Sequence, residues 1–172
     1  MRTAGVLLAL IAAVALQTAL ARLTIGGTTA VDLVLVVVVY VALAFGAVPG
    51  LVAGSLGGII QDALAGGVVG IGGFAKTLVG FVVGLLGAQF IVSQPLPRFI
   101  MFVGATVVHE ACFEALYAVV QSRPFRVNYS VTLTQAAVNA VIGVLAFWFV
   151  EKGPGLFQRR RTRGATLSRR HY

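Results

Sequence analysis

The sequence predicts an all-α integral membrane protein with about six transmembrane helices, and three observations support this. Of its 172 residues, 59% are hydrophobic and only 10% are charged, whereas about 25% of the residues in a soluble domain are charged. Residues 33–61, 77–97 and 127–150 contain no charged residue at all, and about 20 apolar residues are enough for a helix to cross a bilayer. These stretches also lack the alternating polarity of a membrane β-barrel.

Six apolar runs are predicted to form the helices, at residues 5–20, 31–45, 48–61, 74–92, 99–120 and 132–150. The first run follows Arg2 and ends in the small residues Ala19 and Ala21. This pattern favours a retained helix, because the rest of the chain is itself embedded in the membrane. A cleaved secretory signal over residues 1–21 is the open alternative.

The connections between the runs are rich in residues that interrupt helices. A polar link covers residues 22–30, and a glycine-rich stretch covers residues 65–73. The third run has 14 residues, so the sequence leaves open whether it spans fully, is tilted or is shielded by its neighbours. Pro95 and Pro97 are predicted to stop the fourth helix, since proline cannot continue a helix.

The basic residues predict the orientation in the membrane. Three arginines (Arg22, Arg123 and Arg126) would then lie outside, but seven of the thirteen basic residues follow Glu151. A basic segment directly after a span favours the cytoplasmic side and can contact anionic lipid, so the net charge of +8 does not indicate nucleic-acid binding. We therefore expect residues 1–152 to form one transmembrane domain, with both termini cytoplasmic. Residues 153–172 form a flexible basic tail.

Glycines recur at helical spacing in the third and fourth helices. They are Gly46, Gly50, Gly54 and Gly58 in the third, and Gly80 and Gly84 in the fourth. Small residues four apart form a groove into which another helix can pack closely. The spacing favours packing between these two helices, and a docking groove for a partner's helix is the alternative.

Charged residues inside the predicted spans are candidates for functional or structural pairs. Glu110 and Glu114 share one face of the fifth helix with Tyr117 and Gln121. A charged residue in a span normally finds a partner, and we predict a Lys76–Glu114 ion pair between helices four and five. A proton- or substrate-carrying role for the two glutamates stays open.

The sixth helix has a polar face suited to hydrogen bonding between helices, formed by Thr132, Gln135, Asn139, Gly143 and Ala146. His109 and Cys112 lie three residues apart, but no second histidine or cysteine accompanies them within the membrane. The sequence contains no nucleophile motif and no phosphate-binding loop. We therefore predict no catalytic site, no metal and no cofactor.

Residues 58–70 carry the motif by which a family is recognised. An apolar, glycine-bearing helix leads to Asp62, followed by Gly66 and Gly70. This arrangement resembles the MreD family, and the resemblance extends to Val138-Asn139 in the last helix and to the basic end. Lys76 departs from the family's usually neutral pattern. Asp62 itself is predicted to accept N–H bonds from the glycine-rich turn or to contact a partner.

The resemblance implies a non-enzymatic subunit of the bacterial elongation machinery that shapes rod cells through lateral peptidoglycan synthesis. Its implied partners are the single-span protein MreC, a RodA-type glycosyltransferase, a class B penicillin-binding protein and MreB filaments. The family is similar in fold to the substrate-binding subunits of energy-coupling-factor transporters. A vitamin-type substrate-binding subunit is therefore the alternative, with Glu110, Glu114, Tyr117 and Asn139 able to line an outer pocket.

Overall fold

The computed structural model describes the backbone of residues 2–21, 31–90 and 94–168, and the side chains of residues 4–19, 31–90 and 94–151. Within these residues the chain is entirely helical, with no strand. The predicted polar link at residues 22–30 lies outside the described residues. The helices are α1 (Arg2–Ala21), α2 (Leu33–Phe45), α3 (Ala47–Ala65), α4 (Ile71–Gln89), α5 (Pro95–Val120) and α6 (Tyr129–Ser168).

Several helix boundaries differ from the predicted ones, and two of them show how glycine and proline act at helix ends. Helix α4 begins at Ile71, inside the stretch that we expected to be a glycine-rich connection. Its glycines are accommodated because they pack directly against α3. Pro95 occupies the first turn of α5, where the missing N–H has no helical partner to lose. The proline pair therefore lies in the first turn of α5 as well as after the end of α4.

The last helix continues beyond its predicted end at Val150, and its backbone is helical through Ser168. The predicted basic tail at residues 153–172 thus begins within α6. The tail's side chains and residues 169–172 lie outside the described residues, and its flexibility stays a prediction.

Four helical segments are long and apolar enough to cross a membrane. They are Ala47–Ala65, Ile71–Gln89, Pro95–Val120 and Tyr129–Glu151. Helix α3 has 19 residues, five more than the predicted run of 14, and is therefore long enough to cross the membrane. The short helix is α2, whose 13 residues rise by only about 20 Å.

Helix α2 lies at the centre of the bundle and contacts all five other helices. Most of its residues are buried, as expected for a helix that is hydrophobic on every side, whereas Leu33, Val37, Tyr40 and the last three residues are partly exposed. Val34, Leu35, Val38, Val39, Val41 and Ala42 are each at most 1% exposed. Because α2 is surrounded by the other helices, the backbone N–H groups at its N-terminus need hydrogen-bond partners from those helices.

Candidate functional site

The N-terminus of α2 is the centre of a buried polar cluster. Asp32 caps the helix, with its Oδ1 accepting a hydrogen bond from the Leu35 N–H at 2.9 Å. The other carboxylate oxygen lies 2.8 Å from Nζ of Lys76 on α4, and the two side chains are 6% and 4% exposed. A carboxylate at a helix N-terminus is favoured by the helix dipole, and here a cation also compensates it.

Side chains from α1 and α6 satisfy the remaining backbone groups at this end of α2. The Asp32 N–H donates to Oδ1 of Asn139 at 3.0 Å, and Nδ2 of Asn139 donates to Oγ1 of Thr106 at 3.3 Å. Gln17 accepts from the Leu33 N–H at 2.9 Å and donates to the Val31 carbonyl at 2.7 Å. Asn139, which lies on the polar face of the sixth helix and is fully buried, therefore forms hydrogen bonds between helices.

His109 extends the cluster towards the surface of α5. Its Nε2 lies 3.1 Å from Nζ of Lys76, and because an ammonium can only donate, Nε2 is the acceptor and the proton is assigned to Nδ1. That Nδ1 lies 3.4 Å from Oε1 of Glu110, yet it forms no hydrogen bond to any described residue. The cluster therefore ends at Glu110 with a loose contact.

The cluster lies near the middle of the spanning helices. Asn139 is adjacent to the central residue of the 23-residue span Tyr129–Glu151, and Thr106 is close to the centre of the 26-residue α5. Since the Asp32 N–H binds Asn139 directly, α2 begins inside the bundle at this depth. This explains how a helix of 13 residues can belong to a membrane bundle whose apolar core is about 30 Å thick.

The predicted Lys76–Glu114 ion pair is wrong. Lys76 contacts Asp32 and His109. Glu114 instead pairs with Arg123, whose Nη2 lies 3.0 Å and 3.1 Å from the two carboxylate oxygens of Glu114. Glu114 lies close to the end of α5, where an arginine from the following loop can reach it. Asp32 is the closer partner of Lys76 because α2 begins at the depth of the lysine.

Asp62 fixes the turn between α3 and α4. Its Oδ2 accepts hydrogen bonds from the Gly70 N–H at 2.9 Å and the Gly73 N–H at 3.0 Å. Gly66 and Gly70 have φ values of +70° and +105°, a region that side chains with a Cβ rarely adopt. The predicted N–H bonds to Asp62 are confirmed, and direct contact of Asp62 with a partner stays a prediction.

Asp62→Asn is expected to loosen this turn while leaving the bundle folded. The substitution removes the negative charge from two charge-assisted hydrogen bonds, and the free energy of unfolding in detergent should fall by about 1.5–3 kcal/mol. Glu114→Gln is the matched control, because Glu114 accepts no backbone N–H bond and its exposed partner Arg123 predicts a loss below about 1 kcal/mol. Equal losses for the two variants would show that the Asp62 bonds do not stabilise the turn.

The glycine pattern is an internal interface between α3 and α4. A Cβ added at Gly50 would lie 2.5 Å from the Gly80 carbonyl oxygen, and one at Gly58 would lie 2.5 Å from the Gly73 Cα. A Cβ at Gly54 would overlap the Lys76 carbonyl oxygen, and one at Gly84 would overlap the backbone of Ala47. The packing interpretation is confirmed. The alternative, a groove open to a partner's helix, is wrong at these positions because α4 already fills it.

Gly46 lies at the edge of this interface, because a Cβ added at Gly84 would lie 2.7 Å from the carbonyl carbon of Gly46. A Cβ at Gly46 itself would meet nothing within 4 Å, and its φ of +99° links the end of α2 to the start of α3. Gly46 has the four-residue spacing to Gly50 because it directly precedes the first residue of α3. Gly46 therefore acts at the bend between two helices.

At the end of the bundle where α2 ends, a cavity of about 880 Å³ opens between α1, α2, α3 and α4. Its walls are apolar side chains together with glycines, including Leu10, Leu43, Val52, Gly84 and Gly87. Polar groups that could orient a water-soluble ligand do not line it. Among the described residues, no three His, Cys, Asp or Glu side chains are placed to hold a metal ion.

The sequence comparisons identify the family. The family model described as rod shape-determining protein MreD matches residues 1–152. The chain belongs to the MreD family. No curated protein and no solved structure matches the chain. The match and the four long apolar helices describe a multi-pass, rod shape-determining membrane protein of the MreD family, which is a family of structural proteins in the shape-determining complex.

Sequence reasoning missed the centre of the polar cluster in this MreD-family chain. Asp32 directly precedes an apolar run, which is the usual sequence signal for a helix N-cap, but the helix was predicted to begin before it. His109 was weighed only as a metal ligand, and Gln17 was not singled out. Of the predicted residues, the structure brings together Lys76 and Asn139, places Glu110 at the edge, and leaves Glu114 and Asp62 outside.

Proposed function

We propose that the chain is the non-enzymatic MreD subunit of the elongation machinery, binding the single-span protein MreC and helping to organise lateral peptidoglycan synthesis. The observation that supports this is the family match over residues 1–152. We further propose that the RodA-type glycosyltransferase, the class B penicillin-binding protein and MreB filaments act in the same assembly. The packed interior is consistent with a scaffold, because most polar groups of the buried cluster bind one another.

We propose an inner-membrane location with both termini in the cytoplasm. The seven basic residues after Glu151 support this orientation, since cytoplasmic segments of membrane proteins retain lysine and arginine. The same residues are proposed to contact anionic lipid. The similarity to energy-coupling-factor subunits is proposed from the resemblance of the MreD family, and the six-helix architecture is compatible with it.

The alternative function, a vitamin-binding transporter subunit, gains no support from the site. Asn139, which was expected to line an outer pocket, is fully buried and donates to Thr106. Glu114 is engaged by Arg123. A vitamin site needs several polar groups directed into a cavity, and the cavity described above is apolar.

Co-purification with MreC tests the proposal. The tagged chain is expected to bring down MreC from detergent-solubilised membranes, and its depletion is expected to turn rod-shaped cells round. The matched control is the Asp62→Asn variant, scored for protein level separately from MreC recovery, which distinguishes a partner contact at Asp62 from a turn alone. Recovery of a transporter ATPase without MreC, from cells that stay rod-shaped after depletion, would contradict the proposed function.

A further inference from the structure

Glu110 is a partly exposed carboxylate close to the middle of a spanning helix. It lies between two and three residues beyond the centre of α5, a displacement of about 4 Å along the helix axis. Its side chain is 23% exposed, and its contact with His109 at 3.4 Å is not a hydrogen bond. Among the described residues, no lysine or arginine forms an ion pair with it.

Glu114, one turn further along the same helix, shows how a satisfied carboxylate looks in this protein. It receives two hydrogen bonds from Arg123, whose guanidinium also lies 4.8 Å from the centre of the Tyr117 ring. Both glutamates have similar side-chain exposure, 22% and 23%. Among the described residues, Glu110 therefore differs from Glu114 in lacking a cationic partner and not in its burial.

The surface of α5 next to Glu110 is apolar and is only partly covered by the described residues of the chain. Val107, one turn before Glu110, is 39% exposed, and Val108 is 48% exposed. Ala111 is exposed as well, and a Cβ added at Gly104 would meet nothing within 4 Å. A partner helix could approach closely here and reach the carboxylate from the side.

We propose that this surface of α5, comprising Gly104, Val107, Val108, Glu110 and Ala111, docks a membrane-spanning helix of another protein that carries a lysine or arginine near its middle. A charged group at the centre of a span costs about 2.5–3.5 kcal/mol on insertion scales, and such groups pair with one another. A cation opposite Glu110 offsets this cost for both helices. The proposal goes beyond MreC pairing and does not depend on it.

The occupant is a different protein because a second copy of this chain has no suitable cation to offer. Its described cations within the spans are Lys76, which is 3% exposed and held by Asp32, and Arg98, which is 8% exposed and held by Glu151. Lipid headgroups do not fit either, since their charges lie at the membrane surface. A cation at the depth of Glu110 must therefore come from a foreign helix.

The test measures fluorescence energy transfer between the labelled full chain and a synthetic helix in phosphatidylcholine vesicles. The probe is a leucine–alanine peptide of about 23 residues with one central lysine, and its control carries leucine at that position. The chain is expected to bind the lysine peptide about tenfold more tightly than the leucine peptide. Glu110→Gln should abolish this preference, and Glu114→Gln, which already has an internal partner, should keep it.

Two further variants keep the test decisive if Glu110→Gln folds poorly. Glu110→Lys should reverse the preference and select a peptide with a central glutamate. Gly104→Leu should retain the detergent stability of the wild type but lose the lysine peptide, because the added side chain blocks the approach. Equal binding of the lysine and leucine peptides by the wild type would overturn the proposal. Glu110-dependent association of two copies of the chain would overturn it as well.

Discussion

Replacing Gly54 by leucine is expected to prevent α3 and α4 from packing together. Any Cβ at this position would overlap the carbonyl oxygen of Lys76, which belongs to helix backbone and cannot move without displacing α4. Overpacking in a well-packed interior typically costs 1–3 kcal/mol. Because backbone is the obstacle here, we expect a loss of about 3 kcal/mol or more in the free energy of unfolding, with most of the protein recovered as aggregate from detergent.

Gly104→Leu is the matched control for this substitution, since it adds the same side chain in the middle of a spanning helix where nothing lies within 4 Å. Its stability should equal that of the wild type. Size-exclusion chromatography and thermal unfolding in the same detergent measure both variants. A Gly54→Leu variant as stable as Gly104→Leu would refute the close α3–α4 interface.

Replacing Lys76 by methionine is expected to have the second large effect. In the wild type, Nζ of Lys76 lies 2.8 Å from Oδ2 of Asp32. The substitution preserves much of the side-chain volume but leaves the buried charge of Asp32 at the start of α2 without its cation. Removal of one partner of a buried ion pair commonly costs about 3–5 kcal/mol. We expect a stability loss in this range, measured by unfolding in mixed micelles.

The variant Asp32→Asn combined with Lys76→Met tests the cause of that loss. The asparagine can still cap α2, and no unpaired charge remains at the start of α2, so the double variant should be more stable than Lys76→Met alone. A double variant that is no more stable would show that packing of the lysine stem, and not the charge on Asp32, accounts for the effect.

Much of the membrane architecture could be predicted from the sequence because the bilayer restricts what a chain can do. The six apolar runs indicated six helices, and the four-residue glycine spacing indicated the α3–α4 interface that the structure shows at Gly50, Gly54 and Gly58. Asp62 and the glycines after it indicated a turn held by N–H bonds. These features are local, so neighbouring residues determine them.

The polar cluster could not be predicted because its members meet through tertiary structure. Helical periodicity shows which residues share a face, but it does not show at what depth another helix begins. Lys76 had several acidic candidates on other helices, among them Asp32 and Glu114, and the choice depended on α2 beginning near the middle of the bundle. Likewise, Gly46 shares the spacing of the packing glycines, and that spacing does not show that Gly46 lies at the bend after α2.

The coupling energy between Lys76 and Asp32 tests the buried cluster most directly. A double-mutant cycle with Lys76→Met and Asp32→Asn is compared with a second cycle in which Glu114→Gln replaces Asp32→Asn. Residues in contact typically couple by about 0.5–3 kcal/mol. We predict coupling in that range for Lys76 with Asp32 and additive effects for Lys76 with Glu114. Additivity in the first cycle together with coupling in the second would contradict the account.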